Sequence, residues 1–134
     1  MSVQSRIRYT VPAYIQTVWR TVTSLTDYAW RSDLAKIERL DDTQFVEHTQ
    51  SGAATLFRVT QTQPPHLWAF DMENDYFSGH WTGRFTALDN NRTELDFAED
   101  ITLKKRLPRW LVRFYLYRQQ QRYRRDLCRK LQNV

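Results

Sequence analysis

Glu99 is the side chain of this sequence that carries the most chemistry. It lies in Leu95-Asp96-Phe97-Ala98-Glu99-Asp100-Ile101-Thr102-Leu103, where Leu95, Phe97, Ile101 and Leu103 alternate with Asp96, Ala98, Asp100 and Thr102. Alternation of period two puts Glu99 on the apolar side of a strand. A carboxyl held among Phe97, Ile101 and Trp81 resists ionisation, so its pKa rises unless a cation meets it. Arg113 or Arg124 would supply that cation. Three roles are open to Glu99: a buried ion pair that fixes a helix in place, the polar end of a ligand pocket, or a general acid or base.

The other chemistry-bearing residues point to simpler roles. His48, His66 and His80 fall singly in different strand-like segments, and neither Cys-x-x-Cys nor His-Glu-x-x-His spacing occurs. No metal site and no cofactor is expected from that pattern. A Gly-rich phosphate loop and a Gly-x-Ser-x-Gly elbow are also missing, which disfavours nucleotide binding and a serine nucleophile. His48 follows Glu47, and adjacent strand residues face opposite ways, so His48 reads as a surface histidine. Cys128, the one cysteine, sits beside Leu127 and Leu131 on a helical pattern and reads as a buried thiol. It can form no internal disulfide, which agrees with a reducing compartment.

The element that must position these groups is the last one. From Leu107 to Val134 the chain holds Pro108 near its start and no glycine, the pattern of one uninterrupted helix. At about 100° per residue, Trp110, Phe114, Leu116, Tyr117, Tyr123, Leu127, Cys128, Leu131 and Val134 cover half the circumference. That half is expected to face a core. Gln120, Gln121, Arg113 and Arg124 fall within the arc, and burying them unpaired costs several kcal/mol, so something polar should meet them. Arg118, Arg122, Arg125 and Arg129 form a basic stripe outside the arc, expected to face water or to pair with acidic residues of the chain. Weak docking on an anionic membrane is a further use for this stripe, helped by Trp110, Leu111, Phe114 and Tyr115 at the helix start. RNA contact through the stripe is a further alternative, disfavoured because no aromatic residue lies among the four arginines on that flank.

Ahead of that helix the chain reads as a strand, a helix and a meander. Val3, Ile7 and Tyr9 alternate with Gln4, Arg6 and Arg8. Pro12 is expected to open a helix whose Ile15, Val18, Trp19 and Val22 form one stripe. The segment 27–31 reads as a short helical turn. Strands follow at about 34–40, 44–49, 53–62, 66–73, 76–88 and 92–103, split by turns such as Asp41-Asp42, Asn74-Asp75 and Asp89-Asn90-Asn91. Connections this short make neighbours antiparallel. Trp68, Phe70 and Met72 share one face, as do Phe77, Trp81 and Phe85. Gly79 and Gly83 lie on that face too, where a missing side chain lets a sheet bend or a helix approach.

Composition sets the outer bounds. The 134 residues are 41% hydrophobic and carry a net charge of +5, enough for one domain with one core, residues 1–134. Residues 104–134 hold eleven Lys and Arg against Asp126 alone, so the remainder of the chain is acidic. The first residues, MSVQSRIRYTV, contain no apolar run, and a cytoplasmic location is expected.

In order and spacing, these elements resemble the START-like helix-grip superfamily, also called Bet v 1-like, with its polyketide cyclase/dehydrase and lipid transport members. The resemblance is carried by VPAYIQTVW (11–19), DYAWRSDLAKIE (27–38), Gly52, TQTQPPHLWAF (60–70) and FSGHWTGRF (77–85). It implies an α+β fold: a curved antiparallel sheet of about seven strands wrapped round the long C-terminal helix, with short helices after the first strand. It also implies an elongated pocket between sheet and helix for a small hydrophobic or amphipathic molecule. In this chain Trp68, Phe70, Phe77, Trp81, Phe85, Phe97, Glu99, Phe114, Tyr117, Gln121 and Arg124 would line it. The superfamily includes carriers and enzymes and has no universal catalytic motif. The expectation is therefore a binding protein, with a cyclase/dehydrase using Glu99 as the alternative. A cystatin-like cone is the rival fold, but it places its long helix early.

Overall fold

A computed structural model describes residues 2–132. Seven strands, β1 (Ser2–Val11), β2 (Leu34–Arg39), β3 (Gln44–Thr49), β4 (Ala54–Gln63), β5 (Leu67–Glu73), β6 (Phe77–Asp89) and β7 (Arg92–Leu103), combine with two helices, α1 (Ile15–Thr23) and α2 (Arg109–Gln132). The sheet order is β1-β7-β6-β5-β4-β3-β2 with every neighbouring pair antiparallel. Only β1 leaves chain order: it pairs with β7 along its whole length, from Ser2 opposite Thr102 to Val11 opposite Thr93. Register shifts interrupt β2, β4 and the β6–β7 pair, and bulges of this kind increase strand twist and curvature.

Alternation explains which side of the sheet is covered. Val3, Tyr9 and Val11 of β1 and Leu95, Phe97 and Ile101 of β7 are buried, as are Phe45, Phe57, Trp68, Phe70, Met72 and Phe85. Together with Val18, Trp19 and Val22 of α1 and Val112, Leu116, Leu127 and Leu131 of α2 they form one core. Leu67 and Ala69 point to the other face and are also buried, but stand outside that core. The rings contact one another across the concave face. Phe45 stacks on Phe57 at 5.0 Å, Phe70 stacks on Trp81 at 4.7 Å, and Trp81 reaches Phe97 at 4.8 Å.

The elements before β2 depart from expectation in two places. Pro12 does not open α1, which begins at Ile15 after an extended Tyr14. The backbone of residues 11–13 is committed elsewhere: Ala13 N–H donates to the Val11 carbonyl, and the Ala13 carbonyl accepts from the buried Thr93 hydroxyl at 2.8 Å. Residues 27–31 form turns in place of a helical segment. Ser24 Oγ accepts from the Asp27 amide, and the Arg31 amide donates to the Tyr28 carbonyl.

The larger correction concerns the face of α2. Val112, Leu116, Asp126, Leu127 and Leu131 are buried, while Trp110, Phe114 and Tyr117 are exposed. Three of the nine residues of the expected apolar arc, all in the first half of the helix, thus point away from the core. The helix starts at the sheet edge, where Arg109 donates to the Ser2 carbonyl of edge strand β1 and α2 packs along that strand. There is sheet under one side of those turns only. Val134, which the arc also included, lies outside the described residues.

Candidate functional site

The concave face carries a polar cluster built by three elements. Glu99 stands in β7 between Ser5 of β1 and Trp81 of β6, its register partners on either side. From α2, Gln120 Nε2 donates to Glu99 Oε1 at 3.1 Å and to Ser5 Oγ at 2.8 Å. Burial pushes the Glu99 carboxyl up to about 6, and the Gln120 hydrogen bond only partly opposes it. The cation expected beside it is not there. Arg124 lies over the Tyr9 ring, 5.0 Å from its centre, and Arg113 is exposed. An amide stands where the ion pair was expected, so no cation offsets the burial that raises the carboxyl.

Tyr9 adds a second polar group to the same face. Its ring is 6% exposed and its hydroxyl is buried without a hydrogen-bond partner among the described residues. Burial raises the phenol above its ordinary value, as do the nearby Tyr123 and Cys128, while Arg124 opposes them. Cys128 is half-buried, with its thiol also pushed up by burial.

The strand residues of the expected site lie together on the concave face, whereas Phe114 and Tyr117 of the helix do not join them. Trp68, Phe70, Phe85 and Phe97 are buried on the concave face, with Phe77 and Trp81 half-buried against them. Phe114 and Tyr117, at 53% and 59% exposure, point away. Tyr123 takes their place, edge-on to Phe97 at 6.1 Å. Gln121 is half-buried and Arg124 is exposed, beside Gln120 rather than opposite Glu99. Gly83 serves Trp81, not the helix: a Cβ there would lie 2.8 Å from Trp81 Cζ3 and 3.2 Å from Phe97 Cδ1. The six-membered ring of the indole therefore occupies the space above Gly83.

Two further clusters were not foreseen. Arg31 ion-pairs with Glu47 at 2.8 Å and Asp33 at 3.1 Å, and packs over the Tyr123 ring at 5.3 Å. Burial alone would lower the Arg31 pKa, but the two carboxylates outweigh it and hold the guanidinium charged. In the second, Asp126 is 3% exposed and accepts from the Ser32 amide at 2.8 Å and hydroxyl at 2.7 Å. Arg122 completes it by donating to Ser32 Oγ and to the Ser32 carbonyl. Arg122 is thereby tied to the 30–33 turn, and all four arginines, Arg118, Arg122, Arg125 and Arg129, are exposed. The only signal for either cluster was Asp126 itself, the single acid in a basic helix.

The three histidines lie apart. His48 contacts Glu38, His80 contacts Asp71, and His66 approaches the Phe85 carbonyl. Two open hollows of about 350 and 390 Å3 mark the outer face of the sheet, and neither lies between the sheet and α2. No described helix is long and apolar enough to cross a membrane.

A seven-stranded antiparallel sheet curved over a long C-terminal helix, with aromatic rings and a few polar groups on the concave side, defines a helix-grip domain. The family model for polyketide cyclase / dehydrase and lipid transport matches residues 2–134, and the chain belongs to that family. Solved structures agree on the fold. A START superfamily protein from Mycobacterium smegmatis superposes with a TM-score of 0.87 at 14% identity, covering 97% of each chain. The Zhui aromatase/cyclase from a Streptomyces species gives 0.83 at 16% identity, over 98% of this chain and 94% of that one. Ara h 8.0201 gives 0.75 at 9% identity over the full length of both. No curated protein sequence matches the chain.

Proposed function

We propose that this domain binds a small hydrophobic or amphipathic molecule, of lipid, polyketide or aromatic type, between the concave face and α2. The observation that carries the reading is the buried, unpartnered hydroxyl of Tyr9 on an aromatic face. A buried polar group without a partner costs about 1–3 kcal/mol, which a ligand hydroxyl or carbonyl would recover. Glu99, Ser5 and Gln120 supply a second polar contact further along the face. Family membership supports the same class of ligand. Because the rings now contact one another, entry requires them to part. Trp81, half-buried and stacked on Phe70, is the ring best placed to move. Tryptophan fluorescence titrations with oleate and with a hydroxylated anthraquinone test the reading. Saturable quenching that weakens several-fold in Tyr9→Phe supports it, and no response to either probe counts against it.

A second reading, a cyclase or dehydrase, is favoured by one feature. A carboxyl that titrates at about 6 can accept and return a proton near neutral pH. The Streptomyces structure of like fold is an aromatase/cyclase. On this reading Glu99→Gln removes turnover of a polyketide-type substrate and leaves its binding nearly intact. Undiminished turnover in that variant dismisses Glu99 as acid or base.

A further inference from the structure

The face of α2 that the sheet leaves uncovered is not a neutral surface. Trp110, Phe114 and Tyr117 recur at i, i+4 and i+7, which places the three side chains along one helical stripe. They are 70%, 53% and 59% exposed. Leu107, Leu111 and Tyr115 beside them are exposed as well. At the same end of the molecule the exposed Tyr76, in the turn between β5 and β6, carries Lys105 over its ring at 4.8 Å. Contiguous apolar rings in water are costly and mark a contact surface.

Charge narrows the choice of partner. Lys104, Lys105, Arg106, Arg109, Arg113 and Arg118 flank the rings along the chain, Arg118 lying over the Phe114 ring at 5.9 Å, and residues 104–125 contain no acid. Glu73, which meets Lys104 at 3.4 Å, and Asp75 are the acids of the adjoining turn. A second copy docking through this face would set cations against cations, which disfavours a symmetric dimer. Tryptophan and tyrosine settle at the level of lipid headgroups, leucine and phenylalanine reach just beneath, and flanking Lys and Arg meet anionic headgroups. The stripe of α2 has all three parts.

We propose that the first half of α2 with the turn preceding it docks on an anionic lipid surface, rings inward and cations around them. The contact is separate from the concave face, so it stands or falls independently of ligand binding. It also differs from a contact through Arg125 and Arg129 further along the helix, beyond Arg122, which is engaged with Ser32.

Cosedimentation of the full chain with phosphatidylcholine vesicles, with and without phosphatidylglycerol, tests it. Wild type is expected to bind the anionic vesicles at least about tenfold better than the neutral ones, with the difference shrinking as salt rises. Trp110→Ser with Phe114→Ser should lower that binding about tenfold with an unchanged melting curve, since both rings are exposed in the folded protein. Lys105→Gln, Arg106→Gln and Arg113→Gln together should do the same. Arg125→Gln with Arg129→Gln should stay within about twofold of wild type. Equal binding to both vesicles, or loss only in the Arg125/Arg129 variant, overturns the proposal. Two other results also overturn it: ring-dependent binding to single-stranded RNA without vesicle binding, or a dimer in sedimentation velocity that the ring variant dissolves.

Discussion

Gln120 of α2 donates its side-chain amide to the carboxyl of Glu99 in β7 at 3.1 Å, joining helix to sheet without a cation. Burial holds the folded-state carboxyl at about 6, above the ordinary 4.5. Between these two values the folded protein binds more protons than the unfolded chain, so stability falls as pH rises through that window and then levels off. The penalty at pH 7 and above is about 2 kcal/mol at most. Glu99→Gln removes it and keeps an oxygen to accept from Gln120. In denaturant titrations the variant should therefore exceed wild type at pH 7.5 and match it at pH 4. An equal difference at both values would mean that Glu99 is solvated in the folded protein.

Asp126 fastens the other half of α2 to the 30–33 turn. Removing a buried acceptor strands the Ser32 amide and hydroxyl, and hydrogen bonds to a carboxylate contribute about 1.5–3 kcal/mol. Asp126→Ala should lower stability by about that much, and Asp126→Asn, which keeps an oxygen in place, by clearly less. Calorimetry of the two variants checks the order.

Trp81 and Gly83 are coupled through the indole that covers the glycine. Gly83→Ala forces the ring aside and should cost about 1–3 kcal/mol, as overpacking does. Trp81→Ala alone should cost about 3 kcal/mol, the low end for tryptophan because the ring is only half-buried. In the Trp81→Ala background the Gly83→Ala change should cost little. Simple additivity in this double-mutant cycle would show that the ring does not rest on Gly83.

Much of the fold could be read before any coordinates. Strand limits and the inward set Trp68, Phe70, Phe85 and Phe97 follow from period two, because one side of each strand meets a core. The face of α2 was harder. Its tryptophan, phenylalanine and tyrosines are spread so widely round the helix that two different arcs satisfy the same periodicity. Which arc is buried depends on where the sheet edge ends, and nothing local records that. For the same reason Glu99 was legible as an inward carboxyl while its partner was not: Arg113, Gln120 and Arg124 all sit within reach along the helix, and a rotation of α2 selects among them. The Arg31–Glu47 and Ser32–Asp126 contacts join residues 16 and 94 apart, and no spacing in the sequence signals such pairs.

Surface docking has its own decisive comparison, vesicle binding by the Trp110/Phe114 variant against the Arg125/Arg129 variant. A loss confined to the first places lipid contact at the start of α2, where the rings are exposed.

Native mass spectrometry of freshly purified protein tests the central claim most directly. If the concave face and α2 hold a hydrophobic or amphipathic molecule, part of the protein should carry a noncovalent adduct, and added oleate or hydroxylated anthraquinone should yield a one-to-one complex. That complex should weaken in Tyr9→Phe and persist in the Trp110/Phe114 variant. Protein that stays free of adducts, and binds neither probe under conditions where its fold is intact, contradicts the account.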